Sequence, residues 1–542
     1  MAQHRRFQHA FAVLILGLLA VALAACAPVA APTAPAAGDA PAAVEDPMLK
    51  TLVVAVDSDP ANLEPGTNRA FPIGSEMIVN IFDTLVAWAP PDFGTLEGRL
   101  AESWSVSDDG LTYTFNLRSG VTFHDGTEFN ADAVKFSFER TLELNSFMTA
   151  YFGPITEMTV VDPLTIEITL ERPSAVFLSW LAMPQAAVVS PAAAEEFGEA
   201  FNVNPVGTGP FKFVSYTPDT EVVLEANADY FRGAPQLDTI IYRIIPDAAT
   251  RRLEIENGTV DIVQQNGQLF SLPVEDIAAL NENPDVNVIE LDSQIIRNID
   301  FNNNNPDSVL NDVTLRRAIG YAIDYDGLIN DLLGGTASRV YGPLTTSSWG
   351  YNPAVEDLAF TYDPDRSREL LAEAGVEPGE LNLTLYSFQG SLWGSIGTFV
   401  QANLADVGIN AELMQMEFPP YRDLHTAGEH DIALDGRQPW YNDPDAHITI
   451  GYLSELAGTA MNFRMSADAE LDQMILDAQT APDQASRKAL YDEIQIKLME
   501  KVPGIYLFSP KIIIYARANV DGLAVNSAPP LTEYWGVSKS AE

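Results

Sequence analysis

The sequence predicts an α/β fold built in layers, and three observations predict it. Short strand patterns of period two alternate with longer amphipathic helical runs along most of the chain. Hydrophobic residues make up 47% of the 542 positions and charged residues 19%, a composition that supports packed cores and excludes a disordered chain. At about 150 residues per domain, the length accommodates several structural units.

Charge narrows the function. Asp and Glu number 75 against 30 Lys and Arg, giving a formal net charge of −45. Such a surface repels phosphates, so no nucleic-acid partner is expected. The one cysteine excludes an intramolecular disulfide and a cysteine-ligated zinc site, and six histidines argue against a histidine-rich metal site.

The elements can be justified in order. Residues 1–25 join a basic start (Arg5, Arg6) to an uncharged apolar run ending in small residues. That run is shorter than the about 20 residues a membrane span requires, and the pattern describes a secretory signal. It ends in Leu23-Ala24-Ala25-Cys26, which resembles a bacterial lipobox. The resemblance implies cleavage before Cys26 and a diacylglycerol on its thiol, a stable two-chain membrane anchor. Residues 26–47 are rich in Ala and Pro and read as a semi-rigid tether. Leu52 to Val56 is a short buried strand; Thr112 to Arg118 and Leu164 to Leu170 are strands of period two. Ala131 to Leu142 is a helix capped by Asn130. Further on come a strand at Leu381 to Ser387, a helix at Thr398 to Gly408, a strand at Ile409 to Glu417 and a helix at Ser486 to Lys501. There is no internal repeat.

Several blocks in fixed order resemble the family 5 extracellular solute-binding proteins of ABC importers, the oligopeptide, dipeptide and nickel group. They are Ser107 to Arg140, Asn204 to Phe213, Asn227 to Ile240, Leu315 to Ile329 and Leu370 to Val376. Physically, His124 to Asn130 is a turn leading into the capped helix, with His124 a turn or packing histidine. Gly207 to Phe211 is a bend entering a strand, because no Lys-Ser or Lys-Thr follows as a phosphate loop requires.

The resemblance implies a two-lobed periplasmic-binding-protein fold, type II with an extra domain, and a ligand cleft between the lobes. Carried over, lobe 1 takes 48–80, 201–291 and 505–542, its extra domain 81–200, and lobe 2 292–504. Hinge crossovers are expected near 297–303 and 502–508, and domain closure about such hinges traps ligands. The implied function is capture of a solute, a peptide by family, and delivery to a permease without chemistry. The implied partners are a small-molecule or peptide ligand, an ABC permease with its cytoplasmic ATPases, and the membrane through the lipid anchor. The chain is expected to be an extracytoplasmic monomer that needs no cofactor. The alternatives are an oligosaccharide or other non-peptide solute, a sensor or chaperone lipoprotein on the same fold, and a secreted hydrolase.

The most informative stretch for the ligand is His430 to Ile448. Peptide-binding members present a Gly-Trp pair here, and an Asp four residues before a Pro pairs with the peptide's ammonium. Aligned without gaps, Gly436 and Pro444 keep their places, but Arg437 replaces the Trp and Trp440 replaces the Asp. Arg437 offers donors to a carboxylate or hydroxyls, and Trp440 and Tyr441 offer flat apolar faces. A gapped alignment would let Asp435 or Asp443 take the ammonium; otherwise Asp443 and Asp445 cap the next helix. Gln389 and Trp393, after the strand at Leu381 to Ser387, form a second candidate group. Trp393 has packing inside its own helix as the alternative; Trp349 or Tyr351 in Ser347 to Pro353, with a Gly-Pro surface loop as the alternative, and Glu64 after the first strand are further candidates. His425 and His430 are five apart, off helical register, with no third histidine near, so no metal site is read there.

Overall fold

The Leu52–Val56 run lies at the middle of a seven-stranded sheet in the computed structural model, which describes residues 50–68, 73–90, 93–264, 271–302, 305–457 and 468–541. The expected signal, the lipidated Cys26 and the tether lie outside the described residues. Strand Thr51–Val56 runs parallel to Thr239–Ile244 on one side and Ile262–Val263 on the other. Leu52, Val54 and Val56 enter one apolar core while Val53 and Ala55 enter another, so both faces are covered. Uninterrupted apolar sequence is what such a central parallel strand requires.

A four-stranded antiparallel sheet follows, in the order Ala101–Val106, Thr112–Leu117, Thr165–Leu170, Ile155–Asp162. Only alternate residues are buried: Tyr113, Phe115 and Leu117 on one strand, Ile166, Ile168 and Leu170 on its neighbour. Helix Ala131–Glu143 begins where Asn130 accepts a bond from the Ala133 amide at 3.0 Å. Gly207 and Gly209 admit a close backbone approach: a Cβ on either would lie within 2.6 Å of Ile81 backbone atoms. The bend before strand Phe211–Thr217 is therefore a packing device, as its sequence suggests.

The second large sheet has six strands, ordered Ala337–Arg339, Gly504–Pro510, Ile296–Phe301, Ile432–Arg437, Asn382–Phe388, Asn410–Met416. The last three are mutually parallel; Ile296–Phe301 is antiparallel to both its neighbours. Helix Ser391–Asp406 starts seven residues before the expected Thr398. Gly394 and Gly397 lie in its first turns, where Gln415 and Leu413 press on the helix: an added Cβ would meet them at 2.4 and 2.7 Å.

Two boundaries change. The expected return to the first lobe at 505 falls inside strand Gly504–Pro510, and the hinge expected at 502–508 overlaps it; that strand is wholly buried in the second sheet. The chain crosses at Lys511 instead, because Ile512–Arg517 pairs in the first sheet. The other crossing likewise lies at 292–295, ahead of the expected 297–303, since Ile296–Phe301 is already a strand. The crossings are tied together: Ser293 Oγ donates to the Pro510 carbonyl at 2.5 Å and Ser509 Oγ to the Ser293 carbonyl at 3.1 Å.

Candidate functional site

Three parallel strands of the second sheet end on one edge, and ligands of open α/β sheets bind outside such carboxyl ends. Gln389 follows one of these strands and Arg437 closes another. Gln389 is exposed and lines an open hollow of about 810 Å³ with Gly394, Thr398 and Gln415. Arg437 is half-buried; its Nη2 reaches the Gly451 carbonyl at 3.5 Å and its guanidinium lies 5.6 Å from the Tyr452 ring centre.

From that edge the chain runs onto the apolar core that backs the four-stranded sheet. Trp440, half-buried, packs on Phe147 with ring centres 4.9 Å apart. Tyr441 is fully buried against Tyr151 at 6.0 Å, and its hydroxyl donates to Asp445 at 2.7 Å. Burial beside the Asp445 carboxylate holds that hydroxyl well above its usual pKa. Asn442 donates to the Phe93 carbonyl and accepts from Gln294, both at 2.8 Å. Residues 440–442 thus join the end of strand Ile432–Arg437 to Phe147 and Tyr151, to Phe93 and to Gln294. The turn Pro65–Thr67, which Glu64 precedes, is within reach: Ser146, next to Phe147, donates to the Gly66 carbonyl at 2.5 Å.

The candidate acids are already partnered. Asp443 accepts two bonds from Arg487, at 2.7 and 2.6 Å. Burial pushes its carboxyl up while Arg487 pulls it down, with burial the stronger. Asp443 also accepts from the Asp445 amide at 3.0 Å, just ahead of helix Asp445–Tyr452, whose N-cap position is Pro444. Asp435 is buried, with Arg422 at 3.4 Å and His425 at 3.2 Å. Neither carboxylate stands open to a ligand ammonium. Glu64 is 5% exposed and bonded to Arg140 at 2.7 Å; burial raises its carboxyl against that arginine's pull. The pair joins the turn after the first strand to helix Ala131–Glu143.

Trp393 and Trp349 both pack on neighbouring aromatic rings. Trp393 is 5% exposed in the second lobe's core, its ring 5.2 Å from Phe388 and under the Arg297 guanidinium. Trp349 packs on Tyr491 at 5.9 Å and carries the Arg487 guanidinium on its face. Trp535 holds Arg232 at 4.4 Å and donates to the Gly233 carbonyl at 2.8 Å. His124 sits in its turn with Nε2 3.0 Å from the Gly209 carbonyl, and burial lowers its pKa to about 4.

Of the candidates, the geometry brings together Arg437, Trp440 and Tyr441, with Gln389 on the same sheet edge. It adds residues the sequence did not single out: Phe147, Tyr452, Asn442 and the buried Arg297. An arginine within the strand pattern Ile295 to Phe301 was the available signal for the last; the others become neighbours only through the tertiary fold.

Comparison with known proteins places this geometry. The family model described as bacterial extracellular solute-binding proteins, family 5 Middle, matches residues 95–455. A probable D,D-dipeptide-binding periplasmic protein, DdpA, of Escherichia coli (strain K12) is 30% identical over 448 residues, 82% of this chain and 84% of that protein. Di/tripeptide-binding protein 2 of Pseudomonas aeruginosa (strain UCBPP-PA14) is 31% identical over 501 residues, 87% of this chain and 92% of that protein. Among solved structures, the periplasmic binding protein DppA of Helicobacter pylori in complex with the peptide STSA superposes with a TM-score of 0.76 at 27% identity. That match covers 90% of this chain and 98% of the other.

Proposed function

We propose that this chain, which belongs to the family 5 bacterial extracellular solute-binding proteins, captures a short peptide between its lobes and hands it to an ABC permease. The observation that carries the reading is the likeness, over more than four-fifths of the chain, to proteins described as dipeptide- and di/tripeptide-binding. Capture needs complementarity only to the ground state of the solute, and no reaction is assigned. The division into lobes is drawn at 292–295 and Lys511, where the chain changes sheets. The protein works as a monomer held outside the cytoplasm by a diacylglycerol on Cys26; no helix among the described residues is long and apolar enough to cross a membrane. Cys26→Ser should release the protein from the membrane fraction, and retention of that variant would defeat the anchor.

Within the site, Arg437 takes the ligand carboxylate and Trp440 and Gln389 flank it, with Tyr441 setting the loop. A second reading is favoured by one observation: Asp435 and Asp443 each already hold an arginine. It gives the site a carboxylate-bearing solute lacking a free amine. A thermal-shift panel of free dipeptides and tripeptides, their N-acetylated forms and acidic sugars separates the two. Free peptides raising the melting temperature support the first reading. A response confined to the amine-free compounds supports the second, and no response from any of them overturns both.

A further inference from the structure

Three separate parts of the chain meet at Asn442. Its Nδ2 donates to the Phe93 carbonyl at 2.8 Å, and its Oδ1 accepts from Gln294 Nε2 at 2.8 Å. A carbonyl can only accept, so the Phe93 contact fixes which way the Asn442 amide is turned, and Asn442 in turn fixes the Gln294 amide. Gln294 is buried in the crossing at 292–295, where its own carbonyl accepts from His447 Nε2 at 2.8 Å.

The Phe93 side of this contact is strained. Its φ is 50°, in the left-handed region that a bulky side chain rarely adopts. The bend is held in place by its neighbours. The Phe93 amide donates to the Ala89 carbonyl at 2.8 Å, and the ring is 3% exposed beside Ile78, Trp88 and Leu531. Residues kept in such a conformation persist only where the surroundings over-determine them, and they gather at clamps and switches. A second polar contact lies further along. The Gln479 carbonyl accepts from the Ala175 amide at 2.7 Å, while its side chain donates to Asp445 Oδ1 at 3.0 Å, in the helix that follows Asn442. Between the two contacts, Trp440 and Tyr441 lie on Phe147 and Tyr151. Each of these pairs joins a residue of 93–175 to one of 440–479, and so crosses the lobe division drawn above. A single hydrogen bond contributes modestly, as a contact that forms and breaks requires. Opening would also let Phe93 leave the left-handed region, which offsets part of the lost bond.

Resting on the two-lobed reading, we propose that Asn442 is a latch: its bond to the strained Phe93 carbonyl favours the closed arrangement, and its bond to Gln294 ties it to the crossing about which the lobes turn. The latch belongs to the chain itself and acts without solute. The test is pulsed electron paramagnetic resonance on the solute-free chain carrying Cys26→Ser. Spin labels go at Val161→Cys and Asp365→Cys, exposed positions in strand Ile155–Asp162 and helix Pro364–Glu373. The otherwise wild-type chain should show a short-distance population. Asn442→Asp still accepts from Gln294 but sets a carboxylate against the Phe93 carbonyl, and should shrink that population at least about fivefold. Asn442→Ala should act in the same direction without adding charge. Two populations whose ratio neither variant changes overturn the latch and leave lobes that move. A single distance shared by all three chains also overturns the latch; if dipeptides and tripeptides do not shift it either, the reading of capture between lobes falls with it.

Discussion

Glu76 carries the sharpest electrostatic consequence of the fold. It sits on helix Ile73–Ile81, 1% exposed, with the Tyr534 hydroxyl donating to Oε1 at 2.8 Å and the Gln264 amide donating to Oε2. Burial outweighs these bonds and pushes its pKa from 4.5 to about 8. Between those values the folded chain holds a proton that the unfolded chain releases. The stability Glu76 contributes is therefore fully present below 4.5 and is lost as pH rises to about 8. One pKa unit corresponds to about 1.4 kcal/mol, so about 3 kcal/mol is gone by pH ~7. Glu76→Gln keeps the size and the acceptor for Tyr534 but has no proton to release. Urea unfolding of wild type and variant at several pH values isolates the effect from other titrating groups. The difference in unfolding free energy should move in the variant's favour by about 3 kcal/mol from pH ~4 to ~7, then level off above about 8. A difference that does not change with pH would refute the reasoning.

Other outcomes follow from the same structure. Asp443→Ala leaves the Arg487 charge buried and should cost about 3–5 kcal/mol in a thermal or urea melt, with Asp443→Asn paired with Arg487→Met recovering much of it. His124, lowered to about 4, stabilises the fold fully above its usual 6.5 and loses that contribution as pH falls toward 4. His124→Gln should accordingly flatten the acid limb of stability against pH. Asn130→Ala removes the helix cap at Ala133 and should lower stability by about 1 kcal/mol in urea titration.

Local signals carried the elements whose physics is local. Asn130 before an amphipathic run, the Thr112 to Leu117 alternation and the apolar Leu52 to Val56 stretch each specify their structure within a few residues, and each formed with at most a residue or two of difference. The start of helix Ser391–Asp406 is less legible, because Gly394 and Gly397 are poor helix formers whose small size answers to Gln415 and Leu413, brought against them by the tertiary fold. Which sheet takes strand Gly504–Pro510 is not legible locally, because sequence shows that a run is apolar, not which neighbour pairs with it. The site divides the same way. The replacement of an expected acid by Trp440 is visible in one chain. That Asp435 and Asp443 are already satisfied, by Arg422 and Arg487 from other elements, is not. Nor is the meeting of Asn442 with Phe93, which depends on how distant parts of the chain pack.

The most direct test of peptide capture is titration calorimetry of the purified mature protein with dipeptides and tripeptides, repeated on Arg437→Ala and Trp440→Ala. The wild type should bind at one peptide per chain. Each variant should weaken binding at least about tenfold, or about 1.4 kcal/mol, while its peptide-free melting temperature stays near that of the wild type. Unchanged affinity in both variants would contradict the site, and a wild type that binds no peptide would contradict the function.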